Sequence, residues 1–104
     1  LPDLPEHYGP FLRLIVDAAV GDGSITELER QKLVALTVEV VDTIVAELVP
    51  NFWRPNRQPA QDALATLVFE RLMASRLLPP PQLDALVDKL MELARANHER
   101  LQTV

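Results

Sequence analysis

The chain has 104 residues, no cysteine, 48% hydrophobic and 24% charged residues, and a formal charge of −5. That length supports one domain with a modest core, and so ordinary a composition argues against a disordered or fibrous chain. Disulfides, thiolate nucleophiles and cysteine-bearing zinc sites are excluded. No apolar run approaches the roughly 18 residues of a membrane span, and the start lacks the basic and long apolar parts of a signal peptide, so no membrane contact and a cytoplasmic location are expected. Residues 1–50 hold nine acids and three bases and residues 51–104 six acids and seven bases, which assigns any polyanion contact to the second half. Because Leu1 stands where a start methionine would, a fragment of a longer protein is expected.

An all-α fold is expected, a small bundle of about four helices forming one domain over 1–104. After a start punctuated by Pro2, Pro5 and Gly9, the residues Phe11, Leu12, Ile15, Val16 and Ala19 recur at helical spacing and predict a first helix over about 10–20. Gly21-Asp22-Gly23 breaks it, and either Ser24 with Glu27 or Thr26 with Glu29 offers a capping box for a second helix over about 25–49. Its inward face is read as Leu33, Thr37, Val41, Ile44, Val45 and Leu48. Many of its residues are β-branched, but no turn residue interrupts the stretch, and a single strand of that length would be unusual.

The stretch PNFWRPNRQP, residues 50–59, holds three prolines and the only tryptophan, so regular structure stops and the chain reverses there. A third helix over about 59–75 follows, with Ala60, Leu64, Leu67, Val68 and Leu72 facing inward. Pro79-Pro80-Pro81 ends its exit, because each ring fixes its own φ. A last helix over about 81–101 carries Leu83, Leu86, Val87, Leu90, Ala94, Asn97 and Leu101 at steps of three and four.

No catalytic constellation can be written. His7 and His98 lie far apart without HxxxH or HExxH spacing. Ser24 and Ser75 sit in no nucleophile elbow, and three glycines are too few for a phosphate-cradling loop. The carboxylates of the second helix are spaced as a solvated face. Setting Gly23 at the sixth position of a calcium loop puts Asp22 at the fifth and Glu29 at the twelfth, but Ala18 and Val20 then fill two ligand positions without a side-chain oxygen. Phe52-Trp53-Arg54 reads either as a plug sealing the core or as a binding anchor. The arginines and lysine at Arg54, Arg57, Arg71, Arg76, Lys89, Arg95 and Arg100 could form a phosphate-contacting face, diluted by the acids among them.

Two resemblances follow from these residues. The Phe52-Trp53 pair in its proline-rich turn, Ala60-Gln61 before an amphipathic helix, Leu78-Pro79 at the next break and the run Leu86 to His98 (LVDKLMELARANH) together resemble the C-terminal helical region of the motor (R) subunit of type I restriction endonucleases, over about residues 36–104. The resemblance implies a parent ATP-dependent type I site-specific deoxyribonuclease using ATP and Mg, in which this segment is the helical tail that docks the motor subunit onto the methyltransferase (M) subunit and meets DNA only through the complex. No helicase box, phosphate loop or ExK nuclease motif is present, so the segment itself is expected to be no enzyme and to hold no cofactor or metal. Candidate partner contacts are Trp53, Arg54, Arg95, Asn97 and His98. The stretch AAVGDGSITELER, Ala18 to Arg30, is similar to the acidic helix-turn-helix of tellurite-resistance TerB-like domains, which implies divalent-metal binding through Asp17, Asp22, Glu27 or Glu29. Auxiliary DNA binding by the second-half arginines is the other alternative.

Overall fold

The computed structural model describes residues 6–20 and 26–102. A 3-10 turn, Glu6–Tyr8, leads into α1 (Gly9–Val20). Then come α2 (Glu27–Glu47), α3 (Gln58–Ser75), α4 (Leu83–Ala96) and the short α5 (His98–Gln102), with further 3-10 turns at Pro55–Arg57 and Pro80–Gln82. Among the described residues there is no strand, and the expected all-α bundle is what forms. Consecutive helices pack on one another and α4 closes against α1. None of these helices is long and apolar enough to cross a membrane.

Each helix begins or ends where local chemistry requires it. Thr26, with extended φ and ψ of −77° and 162°, caps α2: its hydroxyl accepts from the Glu29 backbone N–H at 3.1 Å while the Glu29 carboxylate accepts from the Thr26 N–H at 3.3 Å. Of the two expected boxes this is the one described; Ser24 and the Gly21-Asp22-Gly23 break lie outside the described residues. α2 stops at Glu47, two residues short of the expected end, because Pro50 disfavours a helical Val49 and Leu48 is already extended. α3 ends at Arg76, whose φ of 56° and ψ of 21° place a non-glycine residue in the left-handed cap conformation.

The expected last helix over 81–101 is two helices. Pro80 and Pro81 hold a 3-10 turn, so α4 starts at Leu83. At the other end Asn97 leaves helical geometry with φ −111° and ψ 22°. Its side-chain amide donates to the Leu93 carbonyl at 2.8 Å, taking the acceptor beside the backbone bond that Asn97 N–H makes to the same oxygen at 3.1 Å. α5 resumes because the Asn97 carbonyl accepts from the Leu101 N–H at 2.9 Å.

A single core runs through the bundle. Phe11 and Ile15 from α1 meet Leu33, Leu36, Val40, Val41 and Ile44 from α2, Leu64, Val68 and Leu72 from α3, and Leu83, Leu86, Val87, Leu90 and Ala94 from α4. The α4 stripe is buried as its periodicity predicts, and Leu101 of α5 joins it. On α2 the inward face is rotated from the expected one: Leu36 and Val40 are buried, while Val45 and Leu48 are half-buried. That helix is apolar on most sides, with Val34 and Val38 also half-buried, so spacing alone left its heading open. On α3, Leu67 is 36% exposed, because Leu64, Val68 and Leu72 repeat at steps of four and leave it on the flank. The one buried hydroxyl of α2, Thr37, is satisfied by donating to the Leu33 carbonyl at 2.8 Å.

Polar links fasten the outside. Arg71 on α3 pairs with Glu39 on α2 at 2.8 Å, but both side chains are about half exposed, so the pair adds at most about 1 kcal/mol. Tyr8 donates its phenolic proton to Asp42 of α2 at 2.6 Å, which ties the first turn to the bundle. This hydrogen bond, then desolvation and the nearby Asp42 charge, raise the Tyr8 pKa above its ordinary value. His7 packs against Tyr8 with ring centroids 4.1 Å apart, and its Nε2 is buried.

Two outcomes are expected. Thr26→Ala removes the cap of α2 and lowers stability by about 1 kcal/mol, read from urea unfolding. For Tyr8, the folded-state pKa is the raised one, so the stabilisation is fully present below the unfolded value of about 10 and is lost as pH rises through the folded-state value. Stability measured across that range falls more steeply in the native chain than in Tyr8→Phe; parallel curves would show that the bond contributes nothing.

Candidate functional site

The proline-rich reversal between α2 and α3 is where the sequence first concentrated chemistry, and its backbone is held turn by turn. Phe52 N–H donates to the Val49 carbonyl at 3.0 Å, Arg54 N–H to Asn51 at 3.2 Å and Arg57 N–H to Arg54 at 2.9 Å. Gln61, in the first turn and a half of α3, then reaches back. Its amide nitrogen donates to the Phe52 carbonyl at 2.9 Å and to the Arg54 carbonyl at 3.1 Å, so both protons of one side chain bracket Trp53.

The two aromatics are placed differently. Phe52 is the plug, 2% exposed and part of the core. Trp53 stands edge-on to it, with ring centroids 4.9 Å apart at 80°, and is half-buried at the rim. Its indole Nε1–H donates to His98 Nδ1 at 3.1 Å, across 45 residues of sequence. With Nδ1 accepting, the remaining proton of a neutral His98 ring sits on Nε2. That atom is buried and has no hydrogen-bond partner among the described residues.

This bond brings the reversal against the α4–α5 junction, and a cleft of about 590 Å³ opens between them. Trp53 and Arg54 line it from the reversal, and Arg95, Asn97 and His98 line it from the junction. All five residues singled out in sequence therefore meet in one place. Pro50, Asn51, Ala96, Glu99 and Arg100 complete the lining. Of these, Arg100 had been noted only as one cation among seven.

The cleft is a local reversal of the chain's charge. Three guanidinium groups, Arg54, Arg95 and Arg100, face one carboxylate, Glu99, in a chain whose formal charge is −5. Arg54 is oriented by donating from Nε to the Asn51 side-chain oxygen at 3.2 Å, which leaves its terminal nitrogens open. Arg95 lies exposed in the last turn of α4 and makes no hydrogen bond or ion pair among the described residues. The negative end of the helix dipole favours a cation at that position. Trp53 and Arg95 also border a second, smaller cleft of about 400 Å³, where the carboxylates are Asp62, Asp88 and Glu92.

His7 and His98 are on separate elements, and Asp22 of the acidic turn lies outside the described residues. Among the described residues no group of three or more His, Asp or Glu side chains is placed to hold a metal ion. Comparison with protein-family models, with curated proteins and with solved structures finds no match.

Gln61 was visible in sequence only as part of a resemblance, yet it carries a detectable signal. It precedes Leu64 and Val68 at steps of three and four, a polar residue at the head of an apolar stripe. Gln61→Glu replaces two donors by acceptors facing two carbonyls. Stability is expected to fall by about 1–3 kcal/mol and Trp53 fluorescence to shift red as the reversal loosens. An unchanged emission spectrum and unfolding midpoint would show that the bracket does not hold the turn.

Proposed function

We propose that this chain is a non-catalytic helical docking module that presents the cleft between the α2–α3 reversal and the α4–α5 junction to a protein partner. The observation that carries the reading is convergence. Trp53 and Arg54 come from one end of the second half, Arg95, Asn97 and His98 from the other, and the Trp53–His98 bond sets them around a single opening. Tryptophan and arginine are the side chains most enriched where binding energy concentrates.

The resemblance names the assembly. As the tail of a type I restriction R subunit, the module docks the ATP-dependent translocase and endonuclease onto the methyltransferase core in the cytoplasm, and ATP and Mg belong to the parent's motor domains. Of the residues that carry the resemblance, Trp53, Arg95, Ala96, Asn97 and His98 line the cleft, and Gln61 braces the backbone on either side of Trp53. That shared placement supports the reading.

Auxiliary DNA binding is less favoured by the geometry. Arg71 is engaged by Glu39, and Arg57 and Arg76 flank opposite ends of α3, which at 1.5 Å per residue separates them by about 28 Å. Lys89 lines a different cleft together with Asp17. The second-half cations thus do not make one continuous face along which a duplex could neutralise many phosphates.

The test is retention of the methyltransferase core by the immobilised chain. The native chain is expected to retain the core and Trp53→Ala to retain much less of it, with circular dichroism confirming that the variant is still folded. Equal retention by the native chain and by a surface of unrelated helical protein would refute the docking role.

A further inference from the structure

The reading above leaves open what the partner presents. We infer that the basic cleft takes a short acidic segment of the partner protein, with Arg54 and Arg95 meeting its carboxylates from the reversal and from α4; the assignment rests on the docking role.

Four observations support it. Arg54 and Arg95 stand against one carboxylate, Glu99, at the cleft of a chain whose overall charge is −5, so an acidic group is drawn to this spot and repelled from most others. Arg54 is pre-oriented through Asn51, and an oriented planar guanidinium binds a carboxylate bidentately with less ordering cost than a free one. Arg95 has no partner among the described residues, so a ligand need displace no existing ion pair to reach it. The wall between them is fixed, because Trp53 is pinned by His98 on one side and by the Gln61 bracket beneath. The buried His98 Nε2 makes no ligand contact in this scheme; it lies too deep to be touched, and His98 acts by positioning the indole.

The same geometry sets the ligand's length and class. Beyond the Trp53 and Arg95 border stand Asp62, Asp88 and Glu92. A long uniform polyanion crossing that border would run onto these carboxylates. An acidic stretch that ends, or turns neutral or basic, at the border would not. This favours a peptide with a few carboxylates over a nucleic-acid strand, whose charge repeats at every nucleotide.

The experiment is fluorescence polarisation with the whole chain, using a short fluorescein-labelled oligoglutamate as probe, an oligoglutamine of equal length as control and oligothymidylate as the nucleic-acid arm. Oligoglutamate is expected to bind, to weaken with added salt, and to lose about tenfold in affinity in Arg54→Glu/Arg95→Glu. Arg13→Glu/Lys32→Glu, which changes net charge equally at exposed residues outside the cleft, is expected to leave binding near native. Arg95→Gln alone tests the cleft without touching the Asn51 contact, and a several-fold loss is expected. Equal losses in the two double variants, equal binding of oligoglutamine, or tighter binding of oligothymidylate would each overturn the inference. If the methyltransferase core is retained but oligoglutamate does not bind, the acidic-segment assignment fails and the docking role stands. If oligoglutamate binds and the core is not retained, the cleft's chemistry stands and the assembly named above falls.

Discussion

The Trp53–His98 hydrogen bond is the contact on which the candidate site depends, because it joins two polar junctions that the helical packing would otherwise leave merely adjacent. The bundle's core explains why α2, α3 and α4 lie together, but apolar packing is non-directional and does not fix how a loop meets a helix end. A single N–H···N bond between two half-buried rings does fix it, at 3.1 Å, and it is seated on Phe52, which is fully in the core. The price of this arrangement is a buried Nε2 proton with no protein acceptor among the described residues, a cost of about 1–3 kcal/mol that the surrounding burial must offset. Nothing in the packing of the core calls for such a group; it serves the orientation of the indole.

Breaks in regular structure do most of the positioning. Asn97 interrupts what would otherwise be one long terminal helix, and just past it His98 meets Trp53 while Leu101 still reaches the core. The reversal at 50–57 is held by backbone turns and by the Gln61 side chain, in addition to Phe52 in the core. Both junctions use the same device, an amide side chain donating to main-chain carbonyls: Gln61 to Phe52 and Arg54, Asn97 to Leu93. These bonds are local and directional, so the cleft keeps its shape while its charged lining stays exposed.

That device explains how much of the molecule could be read from sequence. The all-helical class and the four longer helices followed from periodicity and from the prolines, and the α4 stripe was legible residue by residue because Asp84, Asp88, Lys89 and Glu92 mark its outer side clearly. The face of α2 was not, since β-branched residues surround most of that helix and only the packing of α1 and α3 selects Leu36 and Val40 over Leu48. Site residues were legible as types in unusual places. The Trp53–His98 bond itself was not, because nothing local to either residue encodes a contact across 45 positions. The break at Asn97 was missed for a related reason: an asparagine on an apolar stripe was read as a tolerated member of the helix, while its amide competes for the carbonyl that continues it.

A polar residue on an otherwise apolar stripe therefore carries more information here than any exposed charge. Gln61 heads the stripe Leu64, Val68, Leu72, and Asn97 interrupts Leu90, Ala94, Leu101; each is at the spacing of a core position, and each turns out to brace one wall of the same cleft. Burying an amide at such a position costs free energy unless its hydrogen bonds are made, and both amides here donate to backbone carbonyls. Backbone carbonyls lacking a helical partner occur at reversals and helix ends, which are also the places where a bundle can open a cleft. Arg54 and Arg95 stand exposed at that opening, above the groups that set its geometry. The amides hold the backbone beneath the opening and the guanidinium groups line it, with Trp53 between them.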